Sequence, residues 1–444
     1  MKKFLFWFLG ILAFLILAVW GWLGYRQARA IRLPVHQQAD ALLRINIDAL
    51  AREILWNSLT HPESSGKDTT REKKKSEAWW RGTGLTIPGS LFFSEIRREN
   101  AAGWYTLIPA EDTGAFHSWV TKRFKMSWEK QPNGFYFARN KQNTLAMATS
   151  SGNALVAFSF QGGIDTATIT EMLSGKNLTP ARSSVYFMER TSGPISLMTE
   201  AGVLSVRSDA EQLLFDMDLK EPVPVGLPQG SLPTTTGFLF QLNGQKKNWF
   251  MGSRFEVAGH TMETDSIAQW FQGQVMIFTG DNVLQKDSVI TYDYDDNFEK
   301  VEVVKMEEKQ VPELTIRLDG DANAMAGYLK KQGFITSENR LNPEVFPPIQ
   351  LMAVADSDHL TLTNSDAAMQ PVSPTNTGND WLYSELQPGA FIEYVPASIA
   401  NKYLRPVTRF RVQGSTKNNK STLHGEILFS KKGINAFRQL AKVF

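Results

Sequence analysis

The chain has 444 residues, of which 42% are hydrophobic and 21% are charged, a composition typical of a globular protein rather than a disordered one. It contains no cysteine, which excludes disulfides, thiolate metal sites, thiol catalysis and lipoprotein acylation. Its 47 basic and 45 acidic residues leave a net charge of +2, so no overall field favours nucleic acid. At roughly 150 residues per domain we expect two or three domains, large enough to be stable without cross-links.

The N-terminal region contains an uncharged segment over residues 4–25, preceded by two lysines. As a helix rising about 1.5 Å per residue, this segment is long enough for a hydrocarbon core of about 30 Å. We predict a cytoplasmic tail and transmembrane anchor over residues 1–32, with a signal peptide cleaved after Ala30 as the alternative. A short basic tail before a long downstream segment favours a single-pass protein of a bacterial inner membrane, with the bulk of the chain in the periplasm.

A first α+β domain is predicted over residues 35–220. It opens with Leu43, Ile45 and Ile47, which alternate with polar residues as in a half-buried strand. Asp48 is a plausible N-cap for the helix that follows. Four apolar residues recur at helical spacing in that helix: Leu50, Ile54, Leu55 and Leu59. The rest of the domain has the Gly and Asn punctuation of a strand-rich region.

The clearest boundary in the chain is a linker over residues 221–237, whose first 13 residues include four prolines. Neither a central strand nor a helix accepts that composition. A second α+β domain is predicted over residues 238–444, with a hairpin of strands at 289–294 and 301–306. The predicted fold class is therefore α+β, with an N-terminal transmembrane helix and two tandem domains of antiparallel-rich sheets and short amphipathic helices.

One pattern, a strand followed by a short turn and an amphipathic helix, occurs three times. Its copies are residues 104–108 with 114–122, residues 314–318 with 323–331, and residues 426–430 with 435–442. The apolar residues of each helix recur at i, i+1, i+4 and i+5, which places Phe116, Met325 and Phe437 in equivalent positions. Two interpretations stay open: a duplicated module, or the pattern shared by any short amphipathic helix after a strand.

Two stretches carry a family resemblance: Leu-Leu-Arg-Ile-Asn-Ile-Asp at residues 42–48, and Gly-Glu-Ile-Leu-Phe-Ser-Lys-Lys-Gly-Ile-Asn-Ala-Phe at residues 425–437. Together with the basic N-terminus and single apolar segment, this layout resembles large uncharacterised envelope-protein families of Bacteroidota. The resemblance covers most of the chain loosely and includes no diagnostic motif. It implies an envelope compartment and carries over no site residues.

Catalytic patterns are weak. The segments 127–130 (Ser-Trp-Glu-Lys) and 64–67 (Ser-Ser-Gly-Lys) have the spacing of a serine acylase, which needs its lysine one helical turn after the nucleophile. However, Pro132 breaks any helix after the first segment, and the second lies in a polar linker. We therefore do not assign catalysis to either segment.

Metal sites are equally weakly indicated. The six histidines include no pair at i, i+3 or i+4, so no helix offers a two-imidazole clamp. Residues 293–297 and 319–323 begin like calcium loops but lack glutamate at the twelfth position. A hairpin turn and a helix N-cap, respectively, explain these two stretches better. The sequence predicts neither a metal nor a cofactor.

The remaining site candidate combines positive charge with aromatic stacking surface, a pairing that could meet anionic lipid or glycan. Its residues are Arg71, Lys73, Lys74, Lys75, Trp79, Trp80 and Arg81. The plainer interpretation is a solvated basic linker before two core tryptophans.

These observations predict a membrane-anchored periplasmic binding or scaffold protein of the cell envelope, with other envelope proteins as partners and no nucleic acid. The alternatives are a periplasmic envelope hydrolase and a lipid or glycan carrier. Ionisable side chains converging in a cleft would favour the hydrolase, and a deep apolar cavity would favour the carrier. A broad exposed apolar patch would favour the scaffold.

Overall fold

The computed structural model describes residues 17–18, 20–61, 82–98, 101–160, 163–188, 191–225, 237–244, 254–294, 298–347, 349–365 and 380–443. The chain divides into two compact units. The first comprises Met1–Lys220 and Lys431–Lys442, and the second comprises Glu221–Ser430. The C-terminal segment therefore belongs with the first unit, whereas the sequence grouped it with a second domain over 238–444.

The fold is mostly β, with 47% of the described residues in strands and 24% in helices. The predicted α+β class with a transmembrane helix is therefore wrong. The main reason is strand length, because the predicted hairpin at 289–306 belongs to strands of 24 and 21 residues. Among the described residues, no helix is both long and apolar enough to cross a membrane. Of the predicted tail and anchor over residues 1–32, residues 1–16 and 19 lie outside the described part of the chain.

Ten strands in the described part of the first unit form an antiparallel sheet. In chain order they are β2 (Ala41–Asn46), β3 (Ser90–Arg98), β4 (Ala101–Pro109), β5 (Glu129–Lys130), β6 (Tyr136–Arg139), β7 (Leu145–Ser150), β8 (Asn153–Phe158), β10 (Ile195–Thr199), β11 (Gly202–Asp209) and β12 (Gln212–Leu219). A separate antiparallel pair joins β1 (Pro34–His36) and β9 (Leu178–Pro180). Across the sheet the order is β12-β11-β10-β2-β3-β4-β8-β7-β6-β5.

Helices cover both faces of this sheet. They are α1 (residues 20–30), α2 (Ile47–Thr60), α3 (Thr113–Phe124), α4 (Thr166–Leu173), a 3-10 turn (Ala181–Ser183) and α8 (Ala436–Val443). Helix α3 packs Phe116 on the face that includes Ala154, while α4 packs Met172 on the opposite face, with Leu155. Ala154 and Leu155 are neighbours in β8, and successive strand side chains point to opposite faces.

Eight strands in the described part of the second unit form its antiparallel sheet. They are β13 (Phe238–Asn243), β16 (Phe271–Tyr294), β17 (Lys300–Gly320), β18 (Met352–Ala355), β19 (His359–Thr363), β20 (Asp380–Leu386), β21 (Val407–Lys417) and β22 (Lys420–Phe429). A separate hairpin joins β14 (Arg254–Val257) and β15 (His260–Glu263). The helical elements are α5 (Thr264–Ala268), α6 (Ala322–Lys331), a 3-10 segment (Pro388–Tyr394), α7 (Ala397–Ile399) and a π-helical turn (Ala400–Leu404).

The two units share one topology. In the second unit the sheet order is β22-β21-β20-β13-β16-β17-β19-β18, which repeats the first eight strands of the first unit in both sheet order and chain order. The matched first strands read Ala-Leu-Leu-Arg-Ile-Asn in β2 and Phe-Leu-Phe-Gln-Leu-Asn in β13. An equivalent helix follows the matched strands in each unit: α3 comes after β4, and α6 comes after β17.

The helix starts match in detail. Asp112 accepts a hydrogen bond from the Ala115 amide at 2.9 Å, and Asp321 accepts one from the Ala324 amide at 3.0 Å. These caps confirm that residues 319–323 form a helix start rather than a calcium loop. Phe116 and Met325 lie four residues after their caps, and both are fully buried. The duplicated module is thus confirmed for the first two predicted copies.

The third predicted copy, β22 with α8, is not equivalent. The counterpart of β22 is β12, and the next described element after β12 is β13, with no helix between them among the described residues. Phe437 is buried, but α8 belongs to the first unit, where the Ala436 amide donates to the carbonyl of Ala210 at 2.9 Å. This copy shares only the amphipathic pattern.

Candidate binding surface

A long two-stranded ribbon extends from the second unit. Beyond a bulge near Thr279, β16 and β17 continue to pair with each other from Asn282 and Pro312 to Tyr294 and Lys300. Along this stretch the described residues provide no third strand. At about 3.4 Å per residue the ribbon is about 40 Å long. We call residues 282–294 and 300–312 the β-arm.

The β-arm is not required by the shared topology. Its counterpart hairpin in the first unit consists of β3 and β4, which have 9 residues each. That short hairpin occupies the same place in the sheet order and leads into the same capped helix. The β-arm is therefore an addition to the common fold.

One face of the β-arm exposes large apolar side chains. Leu284, Tyr292, Val304 and Met306 are 65%, 57%, 63% and 65% exposed. Leu284 is paired with Gln310, and Tyr292 with Glu302. Paired residues and residues two apart on a strand share a face, so these four side chains lie on one side of the ribbon. We call this side the apolar face of the β-arm.

Charged residues also lie on this face, one pair between Leu284 and Met306 and others toward the tip. Near the base, Lys286 Nζ lies 3.6 Å from Glu308 Oε1. Toward the tip, Lys300 Nζ lies 3.8 Å from the centre of the Tyr292 ring. Exposed ion pairs and cation–π contacts each contribute about 0–1 kcal/mol, so these contacts do little to hold the ribbon together. The face thus has one positive and one negative side chain toward the base, Lys286 and Glu308, and one of each toward the tip, Lys300 and Glu302.

A cavity of about 330 Å³ lies where the β-arm meets its own unit. Leu284 and Met306 line it beside Arg340, Asn364 and other residues of the second unit. At its edge the Gln350 amide donates to Gln285 Oε1 at 3.0 Å. The lining mixes cationic, amide and apolar groups, so this cavity is not the deep apolar site that a lipid carrier requires.

A cluster of ionisable groups lies at the other end of β17. Asp319 is buried, with Arg317 Nε 3.3 Å and His359 Nε2 3.7 Å from its Oδ1, while His359 Nδ1 lies 3.2 Å from Asp356 Oδ1. Burial raises the pKa of Asp319, while Arg317 and His359 act in the opposite direction. The cluster lies beside the Gly320 amide, which donates to the carbonyl of Asp358 at 2.8 Å. We interpret it as a set of contacts that joins the end of β17 to the start of β19.

The basic and aromatic site predicted from the sequence, residues 71–81, lies outside the described residues and stays a prediction. The serine acylase segment 64–67 also lies outside them. Around Ser127 the catalytic pattern is absent, because Glu129 and Lys130 form strand β5 instead of a helical turn. Among the described residues, no three acidic or histidine side chains are grouped as metal ligands.

Comparison with known proteins yields little. No protein family matches the chain, and no curated protein matches it. Among solved structures, crystal forms IV and I of TP0453 give TM-scores of 0.25 and 0.26 at 10% and 12% identity, covering 41% and 42% of this chain and 77% and 76% of TP0453. Crystal form III gives a TM-score of 0.23 at 9% identity, covering 74% of this chain and 92% of TP0453. Similarities this weak carry no conclusion about fold or function.

Proposed function

We propose that this protein is a binding or scaffold protein of the cell envelope that holds a partner protein on the apolar face of the β-arm. The observation that carries the proposal is the alignment of Leu284, Tyr292, Val304 and Met306 on one exposed side of a ribbon that the common fold does not need. Soluble monomeric proteins rarely leave a contiguous apolar surface open, and such surfaces mark interaction sites.

Residue chemistry favours a protein over the hydrocarbon interior of a membrane. Lys286 and Glu308 lie on the same face, and charged side chains are costly at the centre of a bilayer. In a protein interface such charges lie beside the apolar contacts and fix the orientation of the partner. The envelope compartment is part of the proposal, and the apolar N-terminal segment of the sequence supports it.

The test is site-specific crosslinking from three consecutive positions in β17. A photo-reactive amino acid at Val304 or Met306 projects from the apolar face, while one at Lys305 projects from the opposite side of the same strand. In cells we expect discrete crosslinked products from positions 304 and 306 and none from 305. Equal products from all three positions, or none from any, would contradict the proposal.

The size of the product identifies the class of partner. A product of twice the 49.9 kDa chain mass means that a second copy binds the arm, whereas any other discrete mass means a different protein. Met306→Glu should abolish the product formed from position 304, because it places a charge in the centre of the apolar face. Lys305→Glu is the matched control and should leave that product unchanged.

A further inference from the structure

Helix α2 in the first unit presents its apolar residues outward. Leu55, Trp56 and Leu59 are 62%, 67% and 66% exposed. They lie at i, i+1 and i+4, so they form one patch on the helix surface. Arg52 is also exposed, one turn earlier on the same side. The sequence predicted one apolar stripe of Leu50, Ile54, Leu55 and Leu59, but the structure divides it: Leu50 and Ile54 are half-buried, whereas Leu55 and Leu59 face outward.

The opposite side of α2 is polar where it meets the protein. Asn57 is buried, and the Glu53 side chain accepts a hydrogen bond from the Ser208 amide at 3.2 Å. Burial raises the pKa of Glu53. The inner side of α2 therefore combines polar groups with the half-buried Leu50 and Ile54, while Leu55, Trp56 and Leu59 form a separate apolar patch that faces outward.

A second exposed apolar surface is fixed beside the start of α2. Trp20, Trp22 and Tyr25 in α1 are 64%, 56% and 66% exposed. At the end of α1, Arg26 Nη2 lies 3.1 Å from Asp48 Oδ1 in the first turn of α2. The next residue of α1, Gln27, donates at 2.9 Å to Asn46 Oδ1 and at 2.8 Å to the carbonyl of Gly89. Because α2 rises about 1.5 Å per residue, its apolar patch lies within about 17 Å of this junction.

Three arguments favour a lipid surface as the medium that covers the α2 patch. Three side chains at this exposure offer about 400 Å², half of the roughly 800 Å² per partner of a stable protein interface. Trp and Tyr prefer the interfacial zone of a bilayer, and α1 carries three such residues next to its junction with α2. Arg52 can extend its guanidinium from the edge of the patch toward lipid phosphates.

We propose that α2 lies on the surface of a lipid bilayer, with Leu55, Trp56 and Leu59 in its interfacial region and Arg52 at the level of the phosphates. This site is independent of the β-arm, which belongs to the other unit. It assigns the first unit a lipid-facing side defined by the exposed residues of α1 and α2.

The chain contains no cysteine, so a single introduced cysteine is the only labelling site. Full-length protein with a spin label at Leu55→Cys or Leu59→Cys would be reconstituted in vesicles of equal parts phosphatidylcholine and phosphatidylglycerol. Collisions of the label with oxygen and with a water-soluble nickel chelate report whether it lies in lipid or in water. Lys141→Cys, on an exposed turn between β6 and β7, is the control. The apolar N-terminal segment is the same in every variant, so it cannot produce a difference between labels.

We expect the labels at 55 and 59 to lose most of their nickel collisions and to retain oxygen collisions, while the label at 141 remains open to nickel. Nickel collisions at 55 and 59 equal to those at 141 would overturn the proposal. Labels shielded from both reagents and immobilised would also overturn it, because that result means a protein covers the patch. Arg52→Gln should shift the label at position 55 to a shallower depth if the guanidinium holds the helix at the phosphates, and an unchanged depth would remove Arg52 from the site.

Discussion

Removing the β-arm should leave the second unit folded with little loss of stability. The variant deletes residues 284–310 and joins Val283 to Val311 through an Asn-Gly turn, the preferred two-residue connection of a β-hairpin. Val283 and Val311 are paired in the ribbon, and Val311 is buried, so the design keeps the last pair that contributes to the core. The shortened hairpin then resembles the short β3–β4 hairpin of the first unit.

The expected cost follows from the contacts that are lost. Among the described residues, the main polar contact between the deleted segment and the rest of its unit is the hydrogen bond from the Gln350 amide to Gln285, which contributes about 0.5–1.5 kcal/mol. For a unit of about 150–250 residues, 1 kcal/mol corresponds to about 2–4 °C in melting temperature. Met325→Ala, in the core under α6, should cost about 2–5 kcal/mol by comparison.

Calorimetry of the full-length protein in detergent would compare the two variants with the wild type. The arm deletion should shift the transition of the second unit by a few degrees at most, and Met325→Ala should shift it several times further. A deletion as damaging as Met325→Ala would mean that the arm is part of the core of its unit rather than an added binding element.

Three other predictions concern the first unit. Phe116→Ala should cost about 3–5 kcal/mol and lower the melting temperature of this unit, because Phe116 is fully buried under α3. The pKa of Glu53 is raised in the folded protein, so its contribution to stability is present below the unfolded pKa of about 4.5 and is lost as pH rises through the folded pKa. Glu53→Gln should therefore raise the melting temperature at neutral pH and leave it unchanged at about pH 4. Burial lowers the pKa of His36 below 6.5 despite the nearby Glu171 carboxylate, so the stability of the unit should fall as pH drops from 6.5 toward the folded pKa. The urea midpoint of His36→Gln should depend less on pH than that of the wild type between about pH 7 and pH 5.

Local elements could be predicted because their signals lie within a few residues of sequence. Alternation identified β2, helical spacing identified α2, and the turn before Lys300 identified the hairpin of β16 and β17. The details depended on tertiary contacts. Asn46, rather than Asp48, caps α2, because the Asn46 side chain accepts from the Ala49 amide at 3.0 Å while Asp48 pairs with Arg26.

The buried face of each element and the length of each strand could not be predicted from the sequence, because they depend on which other elements pack against it or pair with it. Arg44 in β2 was expected on a solvated face, but it is only 7% exposed, because its side chain lies over the Phe92 ring and beside Gln27 of α1. The spacing of the apolar residues in α2 predicted the helix correctly, but spacing alone does not show whether protein, lipid or water covers those residues. The β-arm was underestimated because residues 305–310, Lys-Met-Glu-Glu-Lys-Gln, have low strand propensity. These residues are extended because each is paired across the ribbon.

The repeated topology separates what the fold needs from what each unit adds. Both units use the same eight strands and the same capped helix, so these elements form the common scaffold. The units differ between their first two central strands, where the first has α2 and the second has the β14–β15 hairpin with α5. They differ again in the next hairpin, which is short in the first unit and extended into the β-arm in the second. The apolar patch of α2 and the apolar face of the β-arm therefore both lie on elements that the other unit lacks. Because the common fold forms without these elements, the fold itself does not require their exposed apolar residues.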